Sequence, residues 1–231
     1  MSNIVSNLLF VLERYSGLFL KGVLVTLEYS AVAVTGGVIF GALLALMRRS
    51  TLSIGKFRPL SLLASIYVEV VRGTPILLQL YIFVFWLPTI SPVPLSMFFR
   101  ISLALVFNSA AYVAEIFRAG IDAVDKGQTE AARSLGLSKS QTMIKIVLPQ
   151  AVKNILPTMG NEFITLIKET SIVSFVGASD LYKVFNDMGT NNYEFMVPYL
   201  AMAAIYIVMV LIISTFIKLM ERSLRKSDRS I

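Results

Sequence analysis

The side chains of this chain that could do chemistry are charged residues inside long apolar stretches. Glu69 and Arg72 stand three residues apart, and Glu162 follows Asn161 in a later apolar segment. A charge at the centre of a membrane helix costs about 2.5–3.5 kcal/mol on insertion scales, so such a residue usually has a partner or a function. The deep acids, including Glu28, outnumber the one deep base, which favours binding of a cationic solute. The same acids could instead form structural pairs or relay protons.

The segment Gly73–Pro75 follows Arg72 directly and predicts a break in a membrane helix. Pro75 lacks a backbone N–H and disfavours helix at Thr74, so backbone groups would be exposed to a cavity. Glu69 lies on the same helix face as Arg72 and could pair with it at an ordinary proline kink. The candidate substrate-binding residues are Glu162, Asn161, Arg72, Glu69, Gln79, Asn108 and Ser109, although Asn108 could simply bridge two helices.

The composition excludes several kinds of active site. The sequence of 231 residues contains no Cys and no His. It therefore has no disulfide, no thiolate ligand or nucleophile, and lacks the commonest general base and metal ligand. It contains no Walker A motif and no GxGxxG motif, so nucleotide binding by a P-loop is not expected. These absences disfavour an intramembrane enzyme and predict no metal or cofactor in this chain.

The composition also indicates an integral membrane protein. Hydrophobic residues make up 56% and charged residues 15% of the chain, whereas soluble domains have about 25% charged residues. A membrane-spanning helix needs about 20 mainly apolar residues. Five stretches satisfy this length: 18–46, 61–87, 98–118, 146–172 and 197–218. We therefore predict an all-α fold with five transmembrane helices in one transmembrane domain (1–231), preceded by an interfacial amphipathic helix in the first 17 residues.

The charges of the loops predict the orientation. The first loop, the third loop and the C-terminal tail are rich in Arg and Lys, whereas the second loop is uncharged and the fourth is net acidic. The positive-inside rule places the N-terminus outside and the C-terminus in the cytoplasm. The formal net charge of +7 is thus explained by topology, and no nucleic acid partner is expected.

A polar segment between the third and fourth predicted helices carries the most specific motif. It reads Glu-Ala-Ala at 130–132, then Gly136, then Ile-Val-Leu-Pro at 146–149. Two capping-box spacings occur, at 125–128 and 138–141, and Gly136 is typical of the residue after a helix end. The pattern predicts a helix, a glycine turn and a second helix. A plain connector or a DNA-binding helix-turn-helix would share the helices but not the complete motif.

With three further motifs, this segment resembles the permease subunits of ATP-binding-cassette (ABC) importers. The motifs are E-x-x-R-G-T-P-x-L-x-Q-L at 69–80, A-Y-x-A-E-x-x-R-x-G-I at 111–121 and L-I-K-x-T-S at 166–171. Over residues 18–220 the chain is similar to permeases for polar amino acids such as arginine, histidine, lysine, glutamine and glutamate. The resemblance implies a type I importer core of five transmembrane helices.

The resemblance also implies a mechanism and partners. The chain would be a subunit without its own ATPase site, in a multi-pass position in a prokaryotic plasma or inner membrane, and would import polar, in particular basic, amino acids by alternating access. Expected partners are ABC ATPase subunits that bind ATP and Mg, a second permease subunit in a homo- or heterodimer, an extracytoplasmic solute-binding protein, the amino acid and the lipid bilayer.

The implied contact with the ATPase lies in a cytoplasmic coupling loop at about 119–145. The residues predicted to couple with the ATPase are Glu130, Ala131, Ala132, Arg133, Leu135 and Gly136. The alternative function is a standalone ion-coupled secondary amino acid carrier. Such carriers commonly contain internal repeats, and no repeat is evident in this sequence.

Overall fold

The computed structural model describes residues 13, 15–53, 55, 57–192 and 194–226, with the backbone alone for 223–226. These residues form α1 (Ser16–Arg48), α2 (Pro59–Arg72), α3 (Ile76–Tyr81), α4 (Leu87–Ile90), α5 (Met97–Asp122), α6 (Lys126–Ser134), α7 (Lys139–Thr142), α8 (Leu148–Glu169), α9 (Leu181–Asn192) and α10 (Met196–Lys226). The π-helical turns Ile82–Trp86 and Met143–Val147 join α3 to α4 and α7 to α8, and a 3-10 helix, Thr170–Val176, follows α8. The predicted N-terminal amphipathic helix falls mostly outside the described residues.

The membrane-spanning character of the fold is confirmed in its main features. Helices α1 and α5, and residues Met196–Arg222 of α10, are long and apolar enough to cross a membrane. The bent pair Pro59–Arg72 and Ile76–Ile90 forms a fourth candidate when its two members are taken together. Helix α8 coincides with the predicted stretch 146–172, but charged and amide side chains along it lower its hydropathy. Among the described residues there are therefore three to four candidate spans, whereas five were predicted.

The predicted interruption of the second span is present at Gly73–Pro75. Helix α2 ends at Arg72, and the hydroxyl of Thr74 donates to the carbonyl of Val70 at 2.9 Å. Pro75 has φ −63° and ψ 135° and precedes the start of α3. The break therefore has the cause that the sequence indicated: a proline that cannot donate a backbone hydrogen bond and forces the preceding residue out of the helix.

The chain divides into two compact units, and each is assembled from separate segments. The first unit contains Met1–Val34, Pro75–Val106 and Phe163–Thr215, and the second contains Thr35–Thr74, Phe107–Glu162 and Phe216–Ile231. Four of the five boundaries fall inside α1, α5, α8 and α10, and the fifth falls between Thr74 and Pro75, at the break that separates α2 from α3. Neither unit is thus a continuous stretch of sequence.

Each unit has its own apolar core. In the first unit, one cluster includes the fully buried Leu80 and Leu105, and another includes Leu181 and Phe185. The ring of Phe185 stacks on Phe19 with 4.6 Å between centroids. The second unit has a smaller cluster around Val68, Val71, Ala111 and Ala114.

A carboxylate is buried in the first unit at the start of α9. Asp180 is 0% exposed, and its Oδ1 accepts the backbone N–H of Lys183 at 3.0 Å, which caps the helix. Its Oδ2 has no hydrogen-bond partner among the described residues. Burial raises the pKa of the Asp180 carboxyl from 3.8 to about 6. Ionisation of Asp180 therefore lowers the stability of the folded state.

Replacing Asp180 by Asn is expected to stabilise the protein at neutral pH. Asn keeps the acceptor for the Lys183 N–H and removes the charge. Because the folded pKa is about 6, ionisation destabilises wild type by about 2–3 kcal/mol above that pH, and the cost disappears as pH falls towards the unfolded pKa. Thermal unfolding of the purified protein should therefore show a higher melting temperature for Asp180→Asn at about pH 7.5 and a much smaller difference near about pH 4.5.

The control is Asp187→Asn, which changes a half-exposed carboxylate that pairs with the Lys183 ammonium at 2.5 Å. This substitution should not stabilise the protein at either pH. If Asp180→Asn gives the same change in melting temperature at both pH values, the assignment of a raised pKa to Asp180 is wrong.

Candidate functional site

The predicted capped helix in the polar loop is α6. The Asp125 carboxylate precedes it and accepts the backbone N–H of Gly127 at 2.6 Å. The predicted capping box with Gln128 is not formed, because Asp125 bonds to the second backbone N–H of the helix and not to the third. The side-chain oxygen Oε1 of Gln128 instead accepts from the side-chain amide of Gln150 at 3.4 Å. The N-terminal cap by Asp125 is thus confirmed, but the carboxylate accepts from the N–H of Gly127 and not from that of Gln128.

The C-terminal end of α6 is fixed by a left-handed glycine, as predicted. Gly136 has φ +85°. The N–H of Gly136 donates to the carbonyl of Arg133 at 3.0 Å, and the N–H of Leu137 donates to that of Ala132 at 3.1 Å. This pair of bonds defines a Schellman turn. The guanidinium of Arg133 also donates to the Leu137 carbonyl at 2.6 Å, so side chain and backbone both hold the turn.

The second capping box is present in full. The Ser138 N–H donates to the Gln141 side-chain oxygen at 2.8 Å, and the Gln141 N–H donates to the Ser138 hydroxyl at 3.2 Å. The box opens α7 only two residues after Gly136. Because each backbone N–H from Leu135 to Ser138 has a hydrogen-bond partner, the two helices and their turn behave as one rigid element.

The predicted coupling residues form an exposed surface on this element. Ala132 is the exception, at 4% exposure. The side chains of Glu130, Ala131 and Arg133 are exposed. Leu135 is 83% exposed, the largest value for a large apolar side chain in the described part of the chain. An apolar side chain held in water at the end of a rigid helix is typical of a contact surface for another protein.

Five charged residues of the second unit tie the ends of α1 and α5 together. Glu115 accepts from Arg48 at 2.9 Å and from the Nε of Arg118 at 3.0 Å. Asp122 accepts from Arg118 at 2.8 Å and from Arg49 at 2.9 Å. The spacing of Glu115 and Arg118 was visible in the sequence, but the bonds to Arg48 and Arg49 join residues about seventy positions apart and were not predicted.

The candidate substrate residues have different environments. The side chains of Gln79, Asn108 and Ser109 are buried, those of Glu69, Arg72 and Asn161 are exposed, and Glu162 is half-buried. Sequence position alone could not separate these groups, because all seven lie in apolar stretches.

Arg72 does not form the ion pair with Glu69 that the sequence left open as one possibility. Its guanidinium lies 5.4 Å from the ring centroid of Tyr112, a distance typical of a cation–π contact. No salt bridge joins Arg72 to Glu69 in the described part of the chain. The three-residue spacing permits such a pair, but an exposed pair contributes only about 0–1 kcal/mol to stability. The contact of Arg72 with the Tyr112 ring is formed instead.

Ser109 lies in a close contact between α5 and α1 of the second unit. A Cβ added to Gly37 would lie 2.3 Å from the Ser109 hydroxyl, and one added to Gly41 would lie 2.7 Å from Val113. The two glycines thus allow the helices to approach more closely than any side chain would permit. In this conformation the Ser109 hydroxyl is enclosed by helix packing.

The second unit also contains a cavity of about 720 Å³ beside α6. Its lining includes four basic side chains: Arg49, Lys126, Arg133 and Lys139. The same cavity reaches Asp122, at the end of α5. Sequence analysis did not identify it, because its walls come from four separate elements.

Comparison with known proteins gives consistent matches. Residues 37–226 match the family described as binding-protein-dependent transport system inner membrane component. A Rickettsia conorii protein whose name describes a glutamine transport system permease is 41% identical over 217 residues, which cover 93% of this chain and 97% of that protein. The arginine transport system permease protein of Bacillus subtilis is 42% identical over 209 residues, 90% of this chain and 93% of that protein.

A solved structure supports the same relationship. The crystal structure of an amino acid ABC transporter with histidines aligns with a TM-score of 0.85 and 44% identity. The alignment covers 93% of this chain and 97% of that chain.

The ion pairs at Glu115 yield a stability prediction. Replacing Glu115 by Gln leaves two arginines without their shared carboxylate, and hydrogen bonds to charged groups contribute about 1.5–3 kcal/mol. For a chain of this size we expect a fall in melting temperature of about 2–4 °C per kcal/mol. Asp122→Asn is the matched control, since Asp122 is 47% exposed and Glu115 only 23%, and its loss should be smaller. Equal losses for the two variants would contradict a special role of Glu115.

Proposed function

This chain belongs to the family of binding-protein-dependent inner membrane transport components, and from that premise we propose that it is the permease subunit of an ABC importer for polar amino acids, including basic ones. The observation that carries the proposal is the rigid element formed by α6, the Gly136 turn and α7. Its exposed surface ends in Leu135, which is 83% exposed. A rigid helix with such a surface is suited to receive movement from a separate ATPase.

We place five spans in the proposed membrane topology, with α8 as the fifth. A helix that lines a pathway can be less apolar than one that faces lipid, because its polar side chains meet the solute and neighbouring helices. The charge of the loops supports an external N-terminus and a cytoplasmic C-terminus. In this orientation α6 and α7 lie in the cytoplasm, where ATP is hydrolysed.

In the proposed mechanism, this chain supplies the pathway and a second permease subunit completes it. ATPase subunits bind ATP and Mg and move α6 with its turn as one body. A solute-binding protein delivers the amino acid from outside. The direction of transport follows from the difference in affinity between the outward and inward states. The relatives named above are transport-system permeases or an ABC transporter, so the alternative of a standalone ion-coupled carrier has no support among them.

The proposed substrate is an α-amino acid with a polar side chain. Two relatives are named for glutamine and for arginine, which share a polar side chain of similar length and differ in charge. We assign Glu162 as the counter-charge for a basic side chain and Arg72 as a partner for the substrate carboxylate. The polar groups of Asn161, Gln79 and Asn108 are further candidates for substrate contact.

The coupling role of α6 is tested at Gly136. An L-residue in the left-handed conformation costs about 1–2 kcal/mol, and a β-branched residue is the least tolerated. Space is not the limitation, because a Cβ at Gly136 would meet nothing within 4 Å. The complex of the Gly136→Val variant with its ATPase should still hydrolyse ATP. Its rate of amino acid uptake should fall about tenfold if about 1.4 kcal/mol of coupling free energy is lost.

Gly136→Asn is the control, because Asn tolerates the left-handed conformation. It should keep most of the uptake. Normal uptake by Gly136→Val would refute the coupling role. If no ATPase accompanies the wild-type chain through purification, the importer function itself is wrong.

The specificity for basic substrates is tested at Glu162. Glu162→Gln keeps the shape of the side chain and removes its charge, which eliminates a charge-assisted bond of about 1.5–3 kcal/mol. Affinity for labelled arginine and lysine should fall roughly tenfold to a hundredfold, whereas affinity for glutamine should change little. The measurement uses the reconstituted complex without the solute-binding protein, so that the receptor's own selectivity does not contribute. Equal losses for arginine and glutamine would indicate a structural Glu162.

A further inference from the structure

We propose that the cavity beside α6 binds the phosphate group of an acidic phospholipid. The cavity has a volume of about 720 Å³ and lies within the second unit. Its lining combines basic side chains, one buried hydroxyl and an apolar wall. Arg133 is shared with the proposed coupling surface, and the other lining residues belong neither to that surface nor to the candidate substrate residues. The position of the cavity in the cytoplasmic leaflet rests on the proposed orientation.

The charges of the lining favour a phosphate. Asp122 is the single acid among the described lining residues, and Arg49 and Arg118 already pair with it at 2.9 and 2.8 Å. Lys126 and Lys139 also line the cavity, and neither forms a salt bridge within the described part of the chain. Two unpaired ammonium groups beside a neutralised carboxylate produce a positive potential that attracts an anion.

A buried hydroxyl provides an independent indication of a ligand. Thr142 lines the cavity, is 2% exposed, and its Oγ1 has no hydrogen-bond partner among the described residues. A buried polar group without a partner is unfavourable, and most such groups in proteins are satisfied. Thr142 lies three residues after Lys139, so the two side chains share one face of α7. A ligand oxygen in the cavity would accept from both the hydroxyl and the ammonium.

The position of the cavity identifies a lipid as the source of the phosphate. Arg49 directly follows α1, and Asp122 is the last residue of α5; both helices are candidate membrane spans. The lining therefore lies at the level where a bilayer presents its headgroups, and basic pockets at the cytoplasmic ends of membrane helices bind acidic headgroups. The remaining walls include Ile121, Val124 and Val147, which suit the glycerol and upper acyl chain and offer nothing to a free inorganic ion.

The test measures lipid retention by the purified complex of the permease with its ATPase. The complex is taken from vesicles that contain equal amounts of phosphatidylglycerol and phosphatidylcholine, and bound lipid is counted by native mass spectrometry after extensive detergent exchange. Wild type should retain phosphatidylglycerol in preference to phosphatidylcholine. Lys139→Gln and Lys126→Gln should each reduce that retention several-fold, and Thr142→Val, which is close in shape, should reduce it further when combined with Lys139→Gln.

Lys145→Gln is the matched control, since Lys145 is an exposed base of the same loop that does not line the cavity. It should leave retention unchanged. Because Lys126 and Lys139 are exposed side chains, their substitution tests the proposal even if Thr142→Val folds poorly. Equal retention by wild type and both lysine variants would overturn the proposal.

Two further arms separate the alternative occupants. Inorganic phosphate is added at increasing concentration, and we expect it not to displace the phospholipid. Displacement at millimolar concentration would instead assign the site to soluble phosphate and overturn the lipid assignment. The same measurement on the permease without its ATPase should give the same retention. If lipid binds only in the absence of the ATPase, the cavity is part of the contact with that subunit, and the proposal is wrong.

Discussion

The ion pairs centred on Glu115 and Asp122 are the interaction on which the arrangement of the second unit depends. They join the C-terminal ends of α1 and α5 at distances of 2.8–3.0 Å. The glycine contacts at Gly37 and Gly41 bring the same two helices together, and the ion pairs fix where they end. Only two residues separate Asp122 from the cap at Asp125, so the fixed end of α5 also fixes the start of α6. These ion pairs therefore determine the position of α6, the walls of the cavity and the environment of Arg49.

The element formed by α6 and α7 is stabilised differently from the helices that precede it. In α6 only Ala132 is buried, so packing against an apolar core contributes little to it. Its shape comes from hydrogen bonds within its own backbone and caps: the Asp125 cap, the Schellman turn at Gly136 and the Ser138–Gln141 box. Such bonds depend little on the surroundings. The element can therefore keep one shape while its contacts change, which a part that transmits movement requires.

Much of the fold could be predicted because its signals are local. Hydropathy located the long apolar helices, Pro75 located the break in the second span, and Gly136 and Ser138 located the ends of α6 and α7. The failures have physical reasons. The spacing of Glu69 and Arg72 along one helix left an ion pair open, and Arg72 contacts the ring of Tyr112 on another helix instead. The bonds of Glu115 to Arg48 and the cavity walls depend on residues distant in sequence. No local pattern identifies the substrate residues, because a polar residue that binds substrate and one that only bridges helices occur in similar apolar stretches.

The π-helical turn Met143–Val147 has a consequence for how this chain can vary in evolution. A π turn holds one more residue than an α turn, and each residue of an α-helix advances by about 100° around its axis. Loss of a single residue in this turn would let it close as an ordinary α turn, and it would leave both the capping motifs before it and the facing of α8 nearly unchanged. The same deletion in the regular part of α8 before Asn161 and Glu162 would instead turn these two side chains by about 100° around the helix axis. The π turn is thus a place where the chain can lose a residue without changing the direction of Asn161 and Glu162.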